Sequence, residues 1–248
     1  MRADFLGVPI DLLSLDETLA RVTESMKTRT PLLHVALNVA KFVHMQDNKE
    51  LRDDVTSADI IGVDGMGIVY AARLFGVAVP ERVPGVDLME AILAVCARDG
   101  YRPYFLGATE EVLNQAVTNV RAQYPALTFA GFRNGYFKPA DEPGIVAQIR
   151  ESGADCLFIG MPTPRKERFL AAHRRDLGVS YIMGVGGGID VLAGHVNRAP
   201  QWMQQNGLEW LYRIIQEPGR MWKRYLTTNV GFAMILVKAL LGGRRKPA

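Results

Sequence analysis

Apolar runs the length of single strands alternate along this chain with segments of helical periodicity, and nothing else in it constrains the fold as tightly. The runs are LLHVAL (32–37), ADIIGVD (58–64), PYFLG (103–107), LTFAG (127–131), DCLFIG (155–160) and SYIMGVG (180–186), and most end at Gly, Asn or Asp. Between them, TEEVLNQAVTNVRAQYP places Val112, Ala116, Val117 and Val120 at helical spacing, with Thr109 as a cap and Pro125 as a stop. GVDLMEAILAVCARDG behaves likewise and ends at Gly100. Near-continuous apolar strands alternating with helices predict an α/β fold, a Rossmann-like, mostly parallel sheet with helices on both faces. Sites in such sheets lie beyond the carboxyl ends of the strands, which directs attention to Asn38, Asp64, Gly107, the Gly160 loop and the Gly184–Gly188 loop.

After about residue 200 the strand pattern stops. QNGLEWLYRIIQEPGRMWKRYLTTN reads as two helical pieces broken at Pro218-Gly219. VGFAMILVKALLGG follows; its apolar run falls short of the roughly 20 residues needed to span a bilayer and is interrupted by Lys238, so an interfacial helix is expected. The organisation expected is a Rossmann-like domain over residues 1–200 and a C-terminal helical appendage over 201–248. The net charge of +3 conceals an asymmetry: from Arg198 onward nine Lys/Arg face two Glu, a net of +7, which leaves the body at −4. A basic tail on a slightly acidic body calls for an anionic partner. With 48% hydrophobic residues the chain is neither disordered nor fibrous. Cys96 and Cys156 lie in apolar runs and read as buried thiols of a reducing compartment. MRADFLGVPIDLLS, broken by Pro9 and Asp11 and without a small-residue cleavage site, predicts no secretory signal.

Familiar nucleotide motifs mostly fail. There is no Gly-Lys dipeptide, hence no Walker loop, and Gly184-Val185-Gly186-Gly187-Gly188 misses the last glycine of a dinucleotide fingerprint at Ile189. Three successive glycines still let a backbone approach a ligand closely at a helix start, where Asp190 could accept from ribose hydroxyls or a uracil N–H; otherwise they make a tight strand-to-helix turn. Asp64-Gly65 is either a plain turn or a carboxylate placed at a strand end as a general base. Arg82 suits a phosphate or an ordinary surface. Arg165 and Lys166 near the start of a helix oppose its dipole unless an anion sits between them. Arg220 and Arg224 share a helical face, with Arg213 one helix earlier, and could grip a diphosphate. The four histidines lack ligand spacing and no Asp-x-Asp triplet occurs, so no metal is expected.

LNVAKFVH, ADIIGVDGMGIVYAARLFG, ERVPGVDL, YFLGATEEV, GFRNGYF, the Gly160 loop with Glu167, GVGGGIDVLAG, NRAP and GLEWLYRIIQEPGRMWKRY occur in this order. Together, over roughly residues 5–226, they resemble the WecG/TagA/CpsF family of bacterial glycosyltransferases. The resemblance implies inverting, metal-independent transfer of a hexose or N-acetylhexosamine-type sugar from a UDP-sugar to a polyprenyl-diphosphate-linked saccharide. The setting would be surface polysaccharide synthesis by a cytoplasmic protein at the inner face of the membrane. UDP-sugar would be a substrate, with no cofactor and no nucleic acid partner; self-association stays open. By the same resemblance Asp64 is the base, with Asn38 beside it and Arg82 on substrate or developing charge. Gly107, Tyr136, Gly160, Lys166, Glu167, Gly186, Gly187 and Asp190 would serve the nucleotide sugar, and Arg213, Arg220 and Arg224 the lipid diphosphate. Two positions depart from the family pattern: Ala36 stands where Thr is usual, and Lys166 where Gln is usual. The residues also leave room for an NAD(P)-binding oxidoreductase or a non-enzymatic membrane- or nucleic-acid-docking module, the latter through Trp210, Tyr212 and Trp222 interleaved with arginines.

Overall fold

The computed structural model describes residues 1–242, with the side chain of Arg220 undescribed; the expected cationic end at Arg244, Arg245 and Lys246 lies outside the described residues. The chain opens with a hairpin, β1 (Arg2–Phe5) and β2 (Val8–Asp11), where the sequence pattern suggested no strand. Leu6 and Gly7 both take left-handed φ values, 52° and 78°, so a two-residue turn closes it without an Asn-Gly or Asp-Gly signature. Asp11 fastens the hairpin to the main sheet: its Oδ2 accepts the Ile61 N–H at 2.8 Å and the Arg2 guanidinium at 2.7 Å.

Then follow α1 (Leu15–Thr28), β3 (Leu32–Leu37), α2 (Val39–Asp47), α3 (Lys49–Thr56), β4 (Ile60–Val63), α4 (Met66–Leu74), α5 (Gly85–Asp99) and β5 (Pro103–Gly107). They continue through α6 (Glu110–Gln123), β6 (Gly131–Arg133), α7 (Glu142–Glu151), β7 (Cys156–Gly160), α8 (Arg165–His173), β8 (Tyr181–Gly184) and α9 (Gly188–Leu192). Helices α10 (Gln201–Gln205), α11 (Glu209–Gln216) and α12 (Pro218–Leu241) complete the described chain. Local signals set many boundaries. Ser14 and Glu17 form a capping box on α1, Thr109 caps α6, and Gly100 ends α5 in the left-handed conformation.

Strands β3 to β8 form one six-stranded parallel sheet in the order β4-β3-β8-β7-β5-β6. Successive strand residues point to opposite faces, so the sheet carries two cores. On one face Val35, Val63, Leu106 and Ile159 pack under α2, α4, α7 and α8; on the other Phe105, Phe158, Tyr181 and Met183 pack under α1, α5, α6 and α9. Cys96 and Cys156 are free thiols in the second core, 3.6 Å apart. The strand expected over 127–131 is instead Gly131–Arg133: Leu127 and Phe129 are buried as core side chains, but the Leu127 N–H turns back to the Tyr124 carbonyl and joins no ladder.

The C-terminal region also differs from expectation. The expected break is present, since α11 ends at Gln216 and α12 starts at Pro218, whose missing N–H costs nothing there; the difference is that α12 then runs unbroken for 24 residues, with no interruption before Val230. The segment read as a separate interfacial helix is therefore the second half of α12. Its inner face joins the core: Phe232, only 7% exposed, meets Phe42 of α2 edge to face at 5.6 Å. Its outer face exposes Trp222, Leu226, Val230 and Met234, four residues apart along one line. No helix among the described residues is long and apolar enough to cross a membrane.

Candidate active site

All six parallel strands end on the same edge, and there charged groups gather around two carboxylates. The first is Asp64. Its N–H continues the ladder to the Leu37 carbonyl at 3.0 Å, and its Oδ1 accepts the Gly85 N–H, at the start of α5, at 3.3 Å. Burial is the main influence on this carboxyl and pushes its pKa up, Glu209 adding to the rise; Arg82, the Gly85 hydrogen bond and Arg213 act in the opposite direction without cancelling it. Arg82 donates to Glu209 Oε2 at 2.9 Å, and Arg198 reaches the other oxygen of Glu209 at 3.4 Å while pairing with Asp87 of α5. Glu209 thus ties α11 to the loop before α5 and holds Arg82 beside Asp64.

Asn38 lies one strand over. Its Oδ1 caps α2 by accepting the Lys41 N–H at 3.0 Å, and a Cβ built on Gly65 would lie 3.5 Å from the Asn38 Cβ, so the Asn38 and Asp64-Gly65 turns are in contact. Two strands over from β4, just after β8, Gly186 has φ 52° with open space where a side chain would be. At Gly187 the same construction meets Arg213 Nη1 at 3.5 Å and Asp190 Oδ2 at 3.7 Å, which places one tail arginine over the glycine loop.

The second carboxylate is Glu167. Its Oε1 lies 3.2 Å from Lys41 Nζ and 3.1 Å from Lys166 Nζ, and accepts the Thr163 hydroxyl at 3.1 Å; Lys166 Nζ also donates to Thr163 Oγ1 at 2.6 Å. Burial raises the Glu167 pKa, but Lys41 and Lys166 outweigh it and the net direction is down. Lys166 moves down to about 8, through burial first and then the nearby Lys41 charge, with Arg224 acting in the same direction. Tyr225, one residue after Arg224, feels Arg213, Arg224, Glu209 and Asp64 together, so α12 overlooks both carboxylates.

The remaining sequence-derived candidates are placed differently. Gly107 and Gly160 touch each other: a Cβ on Gly107 would fall 2.6 Å from the Gly160 backbone, so close packing of β5 on β7 suffices to explain both. Tyr136 is 76% exposed beyond β6. Its neighbours fold back over the ends of β5 and β7: the Gly135 N–H donates to the Ala108 carbonyl at 3.0 Å, and Arg165 of α8 donates to the carbonyls of Gly135 and Phe137. Arg220 belongs to α12, and only its backbone is described. Sequence reasoning passed over Lys41, Arg198, Glu209 and Tyr225. Glu209 and Tyr225 sit inside the GLEWLYRIIQEPGRMWKRY motif, but nothing local marks either as a partner of residues more than 100 positions earlier. Among the described residues no group of three or more His, Cys, Asp or Glu is arranged to hold a metal ion.

Compared with known families, residues 3–246 fit the model described as "Glycosyl transferase WecG/TagA/CpsF family".

Proposed function

The chain belongs to the WecG/TagA/CpsF glycosyltransferase family, and from that membership we propose that it moves a hexose or N-acetylhexosamine-type sugar from a UDP-sugar to a polyprenyl-diphosphate-linked saccharide, with inversion and without a metal. The family indicates glycosyl transfer in cell-envelope polysaccharide synthesis, with a nucleotide-sugar donor and a saccharide acceptor. The observation that carries the finer reading is Asp64: a carboxyl at a strand's carboxyl end, raised in pKa by burial, facing Arg82 and Arg213.

In the reaction proposed, Asp64 takes the proton from the acceptor hydroxyl as its oxygen attacks the anomeric carbon from the face opposite the nucleotide. The C–O bond to the diphosphate breaks, and UDP leaves with the bonding electrons. A carboxylate with a raised pKa is a stronger base than one in water, and so a better match to a hydroxyl proton. Developing charge on UDP needs cations, and Arg213 beside Gly187 is one whose location suits the departing diphosphate. Arg82, held by Glu209, supplies positive potential at Asp64 and favours its ionised form against the effect of burial. Helices α11 and α12 bring Arg213 and Tyr225 close to Gly187 and Asp64 and would restrict water that competes with the acceptor.

The exposed line Trp222–Leu226–Val230–Met234, with Lys223 and Lys238 nearby, supports docking at an anionic membrane surface, where the acceptor's polyprenyl chain resides. The reading is tested by a screen of UDP-sugars against a synthetic polyprenyl-diphosphate-sugar acceptor, with and without excess chelator. Transfer that persists in chelator is expected. UDP affinity abolished by chelator and restored by Mn²⁺ would contradict the metal-independent reading.

A further inference from the structure

The segment joining α9 to α10 fastens the C-terminal helix α11 at two points. The Asn197 N–H donates to Gln216 Oε1 at 2.9 Å, and Gln216 Nε2 donates back to the Asn197 carbonyl at 3.0 Å. One residue on, Arg198 Nε lies 3.4 Å from Glu209 Oε1. Glu209, Arg213 and Gln216 stand at i, i+4 and i+7, on one face of the helix. Arg213 therefore lies between the two fastenings, and it is the arginine that meets Gly187.

Arg198 does more than pair with Glu209. Its Nη1 donates to Asp87 of α5 and its Nη2 to Gln204 Oε1 of α10 at 2.6 Å, so one guanidinium spans α5, α10 and α11. Its planar fork of donors can meet three acceptors at fixed angles, which an ammonium cannot do. Three carboxylates, Asp87, Glu90 and Glu209, are subject to its charge, and Glu209 in turn holds Arg82 at 2.9 Å. The chain of contacts closes at Asp64. That carboxyl accepts the Gly85 N–H two residues before Asp87, and Arg82, Glu209, Arg213 and Tyr225 face it from the neighbouring elements.

We propose that Arg198 is a positioning residue for the transfer: it offsets the negative charge of Glu209 beside Asp64 and, with the Asn197–Gln216 pair, aims Arg213 at the glycine loop. The roles of Asp64 and Arg213 rest on the transfer reading, whereas the seating of α11 does not. Arg198 acts through Glu209, and the sign follows from that. Without the guanidinium the Glu209 charge is less offset, the protonated form of Asp64 gains, and activity requires a higher pH. The Gln216 contact carries no charge and bears only on where Arg213 sits.

The test compares the full chain with Arg198→Met, Arg198→Lys and Gln216→Ala. Three quantities are measured: the pH profile of kcat/KM with the donor and acceptor selected by the screen, calorimetric UDP binding, and hydrogen exchange of the α11 amides. Arg198→Met should lower kcat/KM by about 10- to 100-fold, the cost of a misplaced group, and move its acidic limb to higher pH. Arg198→Lys keeps the charge without the three-way geometry, so its limb should stay near the parent's while kcat/KM remains low. Gln216→Ala should weaken UDP by about tenfold, as for a lost contact to a charged group, and leave the limb in place. An unmoved or lowered limb in Arg198→Met, a parental kcat/KM in Arg198→Lys, or a parental UDP affinity in Gln216→Ala overturns the proposal. The last two variants decide it if Arg198→Met does not fold. If the parent neither binds UDP nor shows an acidic limb, the transfer reading fails and hydrogen exchange decides the seating: faster exchange of α11 in Gln216→Ala and Arg198→Lys upholds it, and exchange equal to the parent's overturns it.

Discussion

Asp64 and Glu167 are both carboxylates desolvated at the carboxyl edge of one sheet, yet they are driven in opposite directions. Asp64 has a guanidinium nearby that is already committed to Glu209, and burial wins, so its pKa rises. Glu167 has two ammonium groups in contact, and they win, so its pKa falls. The difference lies in the cations: two ammonium groups in contact with one oxygen outweigh the desolvation of Glu167, whereas the guanidinium near Asp64 is shared with Glu209 and does not outweigh it there. In the reaction proposed, that separation assigns the moving proton to Asp64 and leaves Glu167 as a fixed charge.

The comparison breaks most visibly through turnover. Asp64→Asn is expected to cut kcat by about 10²–10⁴-fold, the usual contribution of a positioned base, with UDP affinity nearly unchanged. Glu167→Gln should act chiefly on donor binding; equal losses of kcat in the two variants would erase the distinction. Asp64→Asn should also raise the Tm at neutral pH. The folded protein holds the Asp64 proton more tightly than the unfolded chain does, so stability falls as pH rises through the window from the ordinary carboxylate pKa up to the raised one. The deficit persists above that window, and the amide removes it.

Helix α12 faces both carboxylates, and Phe232 is its anchor in the core. Phe232→Ala should destabilise the fold by about 3 kcal/mol in urea unfolding, with transfer impaired even where the protein remains folded. Removing everything after Asn229 would therefore strip a core ring as well as an exposed apolar line. The double variant Trp222→Ala/Met234→Ala separates the two: stability within about 0.5 kcal/mol of the parent, and weaker co-sedimentation with anionic vesicles. On the Glu167 side, donor affinity should decline above about pH 8 as Lys166 loses its proton in the presence of Lys41, Glu167, Arg224 and Thr163. A donor affinity that stays constant well above that pH would show that the ammonium makes no contact with the donor.

Much of this arrangement is legible in the sequence, for reasons that are local. Apolar runs of strand length ending at Asn38, Asp64 and Gly160 predict both the sheet and the edge where the site lies, because the side-chain pattern and the turn residues act over a few positions. The hairpin β1–β2 escapes because its strands have four residues, contain Pro9, and turn at Leu6-Gly7. The partition within the site escapes for a different reason. That Glu209 occupies Arg82 across 127 positions, and that Lys41 and Lys166 share one oxygen of Glu167, are products of tertiary packing with no local signature. The family match supplies the reaction class, and the packing supplies the direction of each pKa.

The central claim, that Asp64 is a base whose pKa is set by burial against the charges of Arg82 and Glu209, is tested most directly by the pH dependence of kcat/KM in the parent and in Glu209→Gln. The parent should show an acidic limb above the ordinary carboxylate range. In Glu209→Gln that limb should move to lower pH, since a negative charge that favours the protonated form is gone and Arg82 is released to act on Asp64. An acidic limb at the same pH in both proteins, or one displaced upward in the variant, would contradict the account.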